Sequence, residues 1–203
     1  MAPGSAVTRR LFFAIDLDES ARTAIAGLMG RLSQRLDSEG AGSGRVKWVE
    51  RENLHITVRF LGATPEERVH QLQSTLNSHL SSRPFVLRFD HVGTFPERGA
   101  PRVVWLGTSI GAAEATRARD ELEERLRALD VPPEPRPFRP HLTLGRFRET
   151  GRGSDGRAIR SVEVGRLDDV QVDYLTLYES HLSSHGPRYV QLMKVLLGSA
   201  AEG

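Results

Sequence analysis

The chain has 203 residues, of which 38% are hydrophobic, and it contains no cysteine. That length suits one domain able to bury a sizeable core, and the missing cysteines exclude a disulfide framework, a thiolate nucleophile and a cysteine-ligated metal. A net charge of +2 excludes a strongly basic nucleic-acid coat, although the cations are nearly all arginine, with Lys47 and Lys194 the two lysines. Arginine's planar fork suits phosphate, and a GC-rich genome that writes Arg for Lys is the plainer account of the same usage.

In chain order, "MAPGSAVTRR" is short and polar and does not read as a signal peptide, and no apolar run approaches the roughly 18 residues of a membrane span. A cytoplasmic protein is expected. Leu11–Leu17 reads as a buried strand, with Asp18 or Ser20 capping the helix that follows; Ala24, Leu28, Leu32 and Leu36 repeat at helical intervals. "EGAGSG" is a Gly-rich loop, "RVKWVE" a short strand and "NLHITVRFLG" another. "TPEERVHQLQSTLNSHL" predicts a helix with Thr64 as N-cap and Pro65 at its first position. "PFVLRFDHVGTF" and "RVVWLGTSI" are strands, and "AAEATRARDELEERLRALD" is a helix with a charged outer face. After the Pro-rich "VPPEPRPFRP" come the strand "HLTLGRFR", a loop "ETGRGSDGR" and the strands "IRSVEVGRL", "VDYLTLYES" and "RYVQLMKVLL". Helices fall between groups of strands rather than after each one, which predicts an α+β fold with antiparallel or mixed sheets and helices on one face.

Two strands carry the same word. His55-Ile56-Thr57-Val58 and His141-Leu142-Thr143-Leu144 both read His, apolar, Thr, apolar. Strand side chains alternate faces, so each His shares a face with its Thr, roughly 6 to 7 Å apart, while the apolar pair faces the core. A single His on a strand is most often a packed or solvated histidine. Two copies in matching contexts suggest a pair that shares one proton: one imidazole donates to a leaving oxygen while the other accepts from a nucleophile. The threonine hydroxyls would then donate to non-bridging phosphate oxygens.

These words sit within longer stretches: "RLFFAIDL", "VKWVERENLHITVRFLG", "VGTFPERGAPRVVWLG", "FRPHLTLGRF" and "LYESHLSSHGPRYVQL". In that order they resemble the two-histidine (2H) phosphoesterase superfamily, specifically the bacterial and archaeal RNA 2′,3′-cyclic phosphodiesterases, also called 2′-5′ RNA ligases, over Arg10 to about Leu197. The resemblance implies two pseudo-symmetric α+β lobes, each an antiparallel sheet with helices on the outer face, enclosing a central cleft. It implies one bilobal domain over residues 1–203, with residues 1–9 and 198–203 as flexible tails. By the same resemblance His55 is the proton donor and His141 the proton acceptor in hydrolysis of an RNA 2′,3′-cyclic phosphate end to a 2′-phosphate. Thr57 and Thr143 hold the non-bridging oxygens. Run in reverse with a 5′-hydroxyl RNA, the same chemistry forms a 2′-5′ linkage. No cofactor and no metal are expected. The partner is RNA with a cyclic phosphate end, with tRNA fragments entering by family analogy alone, and a monomer suffices because both lobes complete one cleft.

Other assignments stay open at this level. Arg146 falls where the family tends to carry a phosphate-binding arginine. Its parity is opposite that of His141, so it either faces solvent or is turned back by a bulge at Gly145. Phe12 either stacks on a base or packs in the core, as does Trp48. Arg59 shares parity with His55 and is expected to meet the RNA backbone. Tyr178 and Ser180 sit in a family-like stretch without a derived role, and His181 and His185 read as a solvated turn. Two alternatives accompany the enzyme: a nucleotide-binding module with the same cleft and little turnover, and a His-ligated metal hydrolase. The His spacings and the lack of an acidic cluster argue against the latter.

Overall fold

Leu11, Phe12, Phe13, Ala14 and Ile15 are each at most 3% exposed, as expected of a strand covered on both faces. The protein is described by a computed structural model over residues 7–38, 46–149, 153–184 and 186–198. Nine strands are found among these residues: β1 (Thr8–Ile15), β2 (Val46–Trp48), β3 (Ile56–Pro65), β4 (Phe85–Phe95), β5 (Val103–Ile110), β6 (His141–Phe147), β7 (Val170–Val172), β8 (Tyr174–Ser183) and β9 (Gly186–Leu196). They pair antiparallel in the order β7-β4-β5-β6-β3-β1-β8-β9, with β2 added to β6. The sheet is strongly curled.

The four helices are α1 (Glu19–Ser38), α2 (Glu66–Thr75), α3 (Ala112–Arg127) and α4 (Gly153–Arg160). Asp18 caps α1, its Oδ1 accepting from the Ala21 amide at 2.7 Å. Ala21, Ile25, Leu28, Leu32 and Leu36 form the buried stripe of α1, and Ala115, Ala118, Leu122 and Leu126 that of α3. Each fully buried leucine in these stripes contributes about 1.5–3 kcal/mol of transfer free energy.

The strands form one continuous sheet rather than the separate sheet per lobe that the resemblance implies. One half is β3-β1-β8-β9 and the other β6-β5-β4-β7, and they meet where Ile56 pairs with Leu142. Both residues are completely buried. Because antiparallel partners keep a constant sum of residue numbers, continuing that register by one position sets His55 level with Thr143 and Thr57 level with His141. The join of the halves therefore brings the two His-Thr words together.

Several local expectations change. Thr8 and Arg9 belong to β1, paired with Pro65 and Thr64, and Arg9 also bridges Glu66 at 2.9 Å. Of the two tails, residues 1–6 and 199–203 lie outside the described residues, as do the "EGAGSG" loop and His185. Thr64 lies within β3, its hydroxyl donating to the Gly62 carbonyl, while Pro65, the last residue of β3, takes the N-cap position of α2. "ETGRGSDGR" contains the start of a helix rather than a loop alone. Ala158 and Ile159 are buried there, which anchors α4 despite its glycines. The expected strand 159–167 is consequently absent, and pairing resumes at Val170.

Candidate active site

A cavity of about 650 Å³ lies over the join of the two halves, lined by His55, Thr57, His141, Thr143 and Arg146. That volume is within the range of small-ligand sites. Strand parity explains the lining: Ile56, Val58, Leu142 and Leu144 are buried at 4% exposure or less, while the four His and Thr side chains turn to the opposite face and are part-exposed. Further walls come from residues 134–139, from β2 through Lys47 and Trp48, and from the β8–β9 hairpin through Ser180, Leu182 and Tyr189. Seven Arg and Lys residues line the cavity against two glutamates, so a chain of nearly neutral net charge concentrates cations at one place.

The two imidazoles are held alike. His55 Nδ1 donates to the Asn53 carbonyl and His141 Nδ1 to the Arg139 carbonyl, both at 2.7 Å. A carbonyl only accepts, so Nδ1 carries the hydrogen in both neutral rings and Nε2 keeps its lone pair. His55 Nε2 accepts from the Thr57 hydroxyl at 3.0 Å. Burial lowers the pKa of both rings from the ordinary 6.5, opposed in each case by the carbonyl acceptor. The smaller contributions differ. For His55, Asp16 raises the value and Arg22 lowers it; for His141, Arg146 lowers it further.

Arg146 reaches the cavity through a bulge. Val104 pairs with Gly145 and Trp105 with Thr143, which leaves Leu144 as an extra residue in β6. Leu144 and Gly145 both turn inward, and Arg146 returns to the face of His141. Gly145 is required because a Cβ there would lie 2.7 Å from Val46 Cγ1 and 3.0 Å from Trp48 Cε3. The bulge considered for Gly145 is therefore present, and Arg146 is exposed at the cavity wall rather than facing away from the histidines.

One expectation, for Arg59, needs correction, and the open assignment of Phe12 narrows to packing. Arg59 borders the cavity, but its side chain is 7% exposed and its Nε faces Glu123 Oε1 at 2.5 Å. Its remaining donors go to Glu134 and to the carbonyls of Phe60 and Pro132. The guanidinium is thus occupied within the protein and anchors the Pro-rich wall instead of presenting itself to a backbone phosphate. Phe12 lies on the cavity side, its ring against His55, yet is 3% exposed. Its ring centre is 5.0 Å from His55, 5.5 Å from Tyr178 and 4.9 Å from Tyr189, so it supports His55 and offers no face to a base. Trp48 lines the cavity and packs against the core. His181 is exposed beside Glu179, and no group of three or more His, Cys, Asp or Glu suited to a metal ion occurs among the described residues.

Sequence reading missed Tyr189, Asp16 and Phe60. Tyr189 packs edge-on to His55 at 5.2 Å. Asp16 lines a second cavity behind His55. Phe60 is 57% exposed at the main cavity and 6.0 Å from Phe12. A large aromatic residue left open beside cations is the available signal for Phe60; the other two emerge only once the strand register is known.

A model of the 2′-5′ RNA ligase superfamily matches residues 20–181, a span that includes both His-Thr words. The chain belongs to this superfamily. Its relatives include proteins named RNA 2′,3′-cyclic phosphodiesterase from Archaeoglobus fulgidus, 35% identical over 90% of this chain and 97% of the relative, and from Aeropyrum pernix, 36% identical over 85% and 98%. Among solved structures, Escherichia coli LigT complexed with 3′-AMP superposes with a TM-score of 0.75 at 26% identity, covering 94% of this chain and 99% of LigT. A Thermus thermophilus protein superposes at 0.67 with 27% identity over 93% and 97%. The superfamily resemblance and the α+β antiparallel architecture are thereby borne out, and no helix among the described residues is long and apolar enough to cross a membrane.

Proposed function

We propose that the protein hydrolyses the 2′,3′-cyclic phosphate end of RNA to a 2′-phosphate by acid–base catalysis between His55 and His141. His141 Nε2 takes a proton from water as the water oxygen bonds to phosphorus. The bond from phosphorus to O3′ breaks, and His55, protonated at Nε2, gives its proton to O3′. Atoms and charge balance, and the pair ends with the proton moved from His55 to His141. Thr57, Thr143 and Arg146 meet the non-bridging oxygens as negative charge grows on them. With a 5′-hydroxyl RNA in place of water as the nucleophile, the same displacement at phosphorus, with O3′ leaving, forms a 2′-5′ linkage.

The observation that carries this reading is the matched mounting of two imidazoles in one basic cavity. Each Nδ1 is tied to the carbonyl two residues earlier, so each ring keeps Nε2 for proton transfer. Arg146 favours the neutral form of His141, which suits a base. The names of the relatives supply the cyclic phosphate as substrate. The open face of Phe60 at the cavity mouth suits stacking by a nucleobase, which favours RNA over a bare phosphate ester. His55→Ala and His141→Ala test the reading. Each is expected to lower kcat/KM on a cyclic-phosphate dinucleotide by about 10²–10⁴-fold. A rate near wild type in either variant overturns the role given to that ring.

A further inference from the structure

His55 carries more demands than its partner. As the acid it must hold a proton in a setting where burial and Arg22 oppose positive charge. A second cavity, of about 330 Å³, lies behind it, and Asp16, Asn53 and Tyr178 share that wall with His55. Asp16 follows the last residue of β1, where Ile15 pairs with Ile56. The antiparallel register continued by one residue sets Asp16 level with His55, and directly opposed residues of such a pair share a face with Cβ atoms about 4.5–5.5 Å apart. Ile15 and Ile56 bury on the other side, so Asp16 and His55 turn together towards the small cavity.

The carboxylate is fixed there. Thr176, which is completely buried, donates to Oδ2 at 2.6 Å, and the Tyr178 hydroxyl donates to Oδ1 at 2.8 Å. Both donors come from β8, and the Tyr178 ring stacks on Phe12, which in turn packs on His55. Neither bond serves the proposed chemistry directly, and two hydroxyls committed to one carboxylate oxygen each hold it oriented. His141 has no acid in the corresponding place: its pairing across β6 leads to Gly107 on β5, and Arg146 is the charge acting on it.

We propose that Asp16 is a positioning residue for His55: a fixed carboxylate, level with the imidazole, that favours the proton on this ring and has no counterpart beside His141. The proposal rests on the acid role given to His55 above. The charged and titratable groups facing His55 from the elements around it are Asp16 at the end of β1, Arg22 of α1, Glu50 and Glu52 by the 3₁₀ turn Arg51–Asn53, Tyr178 of β8, and Arg188 and Tyr189 of β9. Arg22 opposes Asp16, but its donors are taken up by the carbonyls of Leu17, Arg51 and Glu52. Glu50 and Glu52 are exposed and screened, and the tyrosines are neutral at working pH because burial raises both. Asp16 is the acid fixed by two side-chain hydroxyls.

The test is the titration of both imidazoles by NMR in the free protein, with the pH dependence of kcat/KM beside it. In Asp16→Asn the His55 midpoint is expected to fall by about one pH unit while that of His141 stays. The basic limb of kcat/KM, where His55 loses its proton, should move to lower pH by the same amount. Asp16→Glu, which keeps the charge, should hold the His55 midpoint near its original position. An unmoved His55 midpoint in Asp16→Asn, or a His55 midpoint that falls as far in Asp16→Glu as in Asp16→Asn, overturns the proposal. A His55 shift in a protein that turns over no cyclic phosphate upholds the coupling and overturns the proposed function instead.

Discussion

Arg59→Met is expected to destabilise the protein without removing a phosphate ligand. Arg59 and Glu123 face each other at 2.5 Å with each side chain 7% exposed. Removing one partner of a buried pair costs about 3–5 kcal/mol, because the remaining charge stays desolvated without a counter-charge. Arg119 still lies 3.2 Å from Glu123, so the loss belongs at the lower end, about 3 kcal/mol. For a chain of this length that lowers Tm by about 6–12 °C. Adding Glu123→Leu removes the stranded charge, and the double variant should regain most of the loss. Thermal melts followed by circular dichroism read both changes, and turnover of a cyclic-phosphate dinucleotide supplies the second measurement. The double variant should keep its kcat while KM rises, since Glu134 and the Pro132 carbonyl lose the donor that steadies their wall. A single variant that melts with the wild type would contradict the buried pair. A double variant that melts normally but loses kcat by about a hundredfold would place Arg59 on the substrate after all.

The pH dependence of kcat/KM should be bell-shaped with its centre below 6.5. His55 must carry a proton and His141 must not, so the productive form peaks midway between their two pKa values, both of which burial holds below 6.5; a peak above neutrality would refute this. Arg146→Ala removes a charge that lowers the His141 pKa, so the acidic limb should move to higher pH. The same variant should lose about 10- to 150-fold in kcat/KM, as expected for a charge-assisted bond to phosphate, and an unshifted limb would show that Arg146 does not act on His141.

What was legible in the sequence is what strand periodicity controls. His55 with Thr57 and His141 with Thr143 share faces because alternation is a local property of extended backbone, and Ile56 and Leu142 are buried as that alternation requires. Arg146 was readable as far as its glycine: Gly145 marked a possible bulge, and the side of the strand it restored depended on pairing with β5 and β2. Arg59 has the parity of His55 by counting, but a register shift at Val58 interrupts the alternation, and Glu123 on α3, distant in sequence, pairs with its guanidinium. Phe12 faced the right side, but Tyr178 and Tyr189 from the far end of the chain cover it. Helix α4 went unread because its glycines signal a loop, whereas the burial of Ala158 and Ile159 holds it. Asp16 looked like the polar end of a strand until the pairing of Ile15 with Ile56 set it beside His55.

The central claim is tested most directly by incubating the purified protein, with a chelator present, with a short RNA ending in a 2′,3′-cyclic phosphate and locating the phosphate in the product by ³¹P NMR. The account predicts multiple turnovers to a 2′-phosphate with a free 3′-hydroxyl, unaffected by the chelator. A 3′-phosphate product, or turnover abolished by the chelator and restored by a divalent metal, would contradict it.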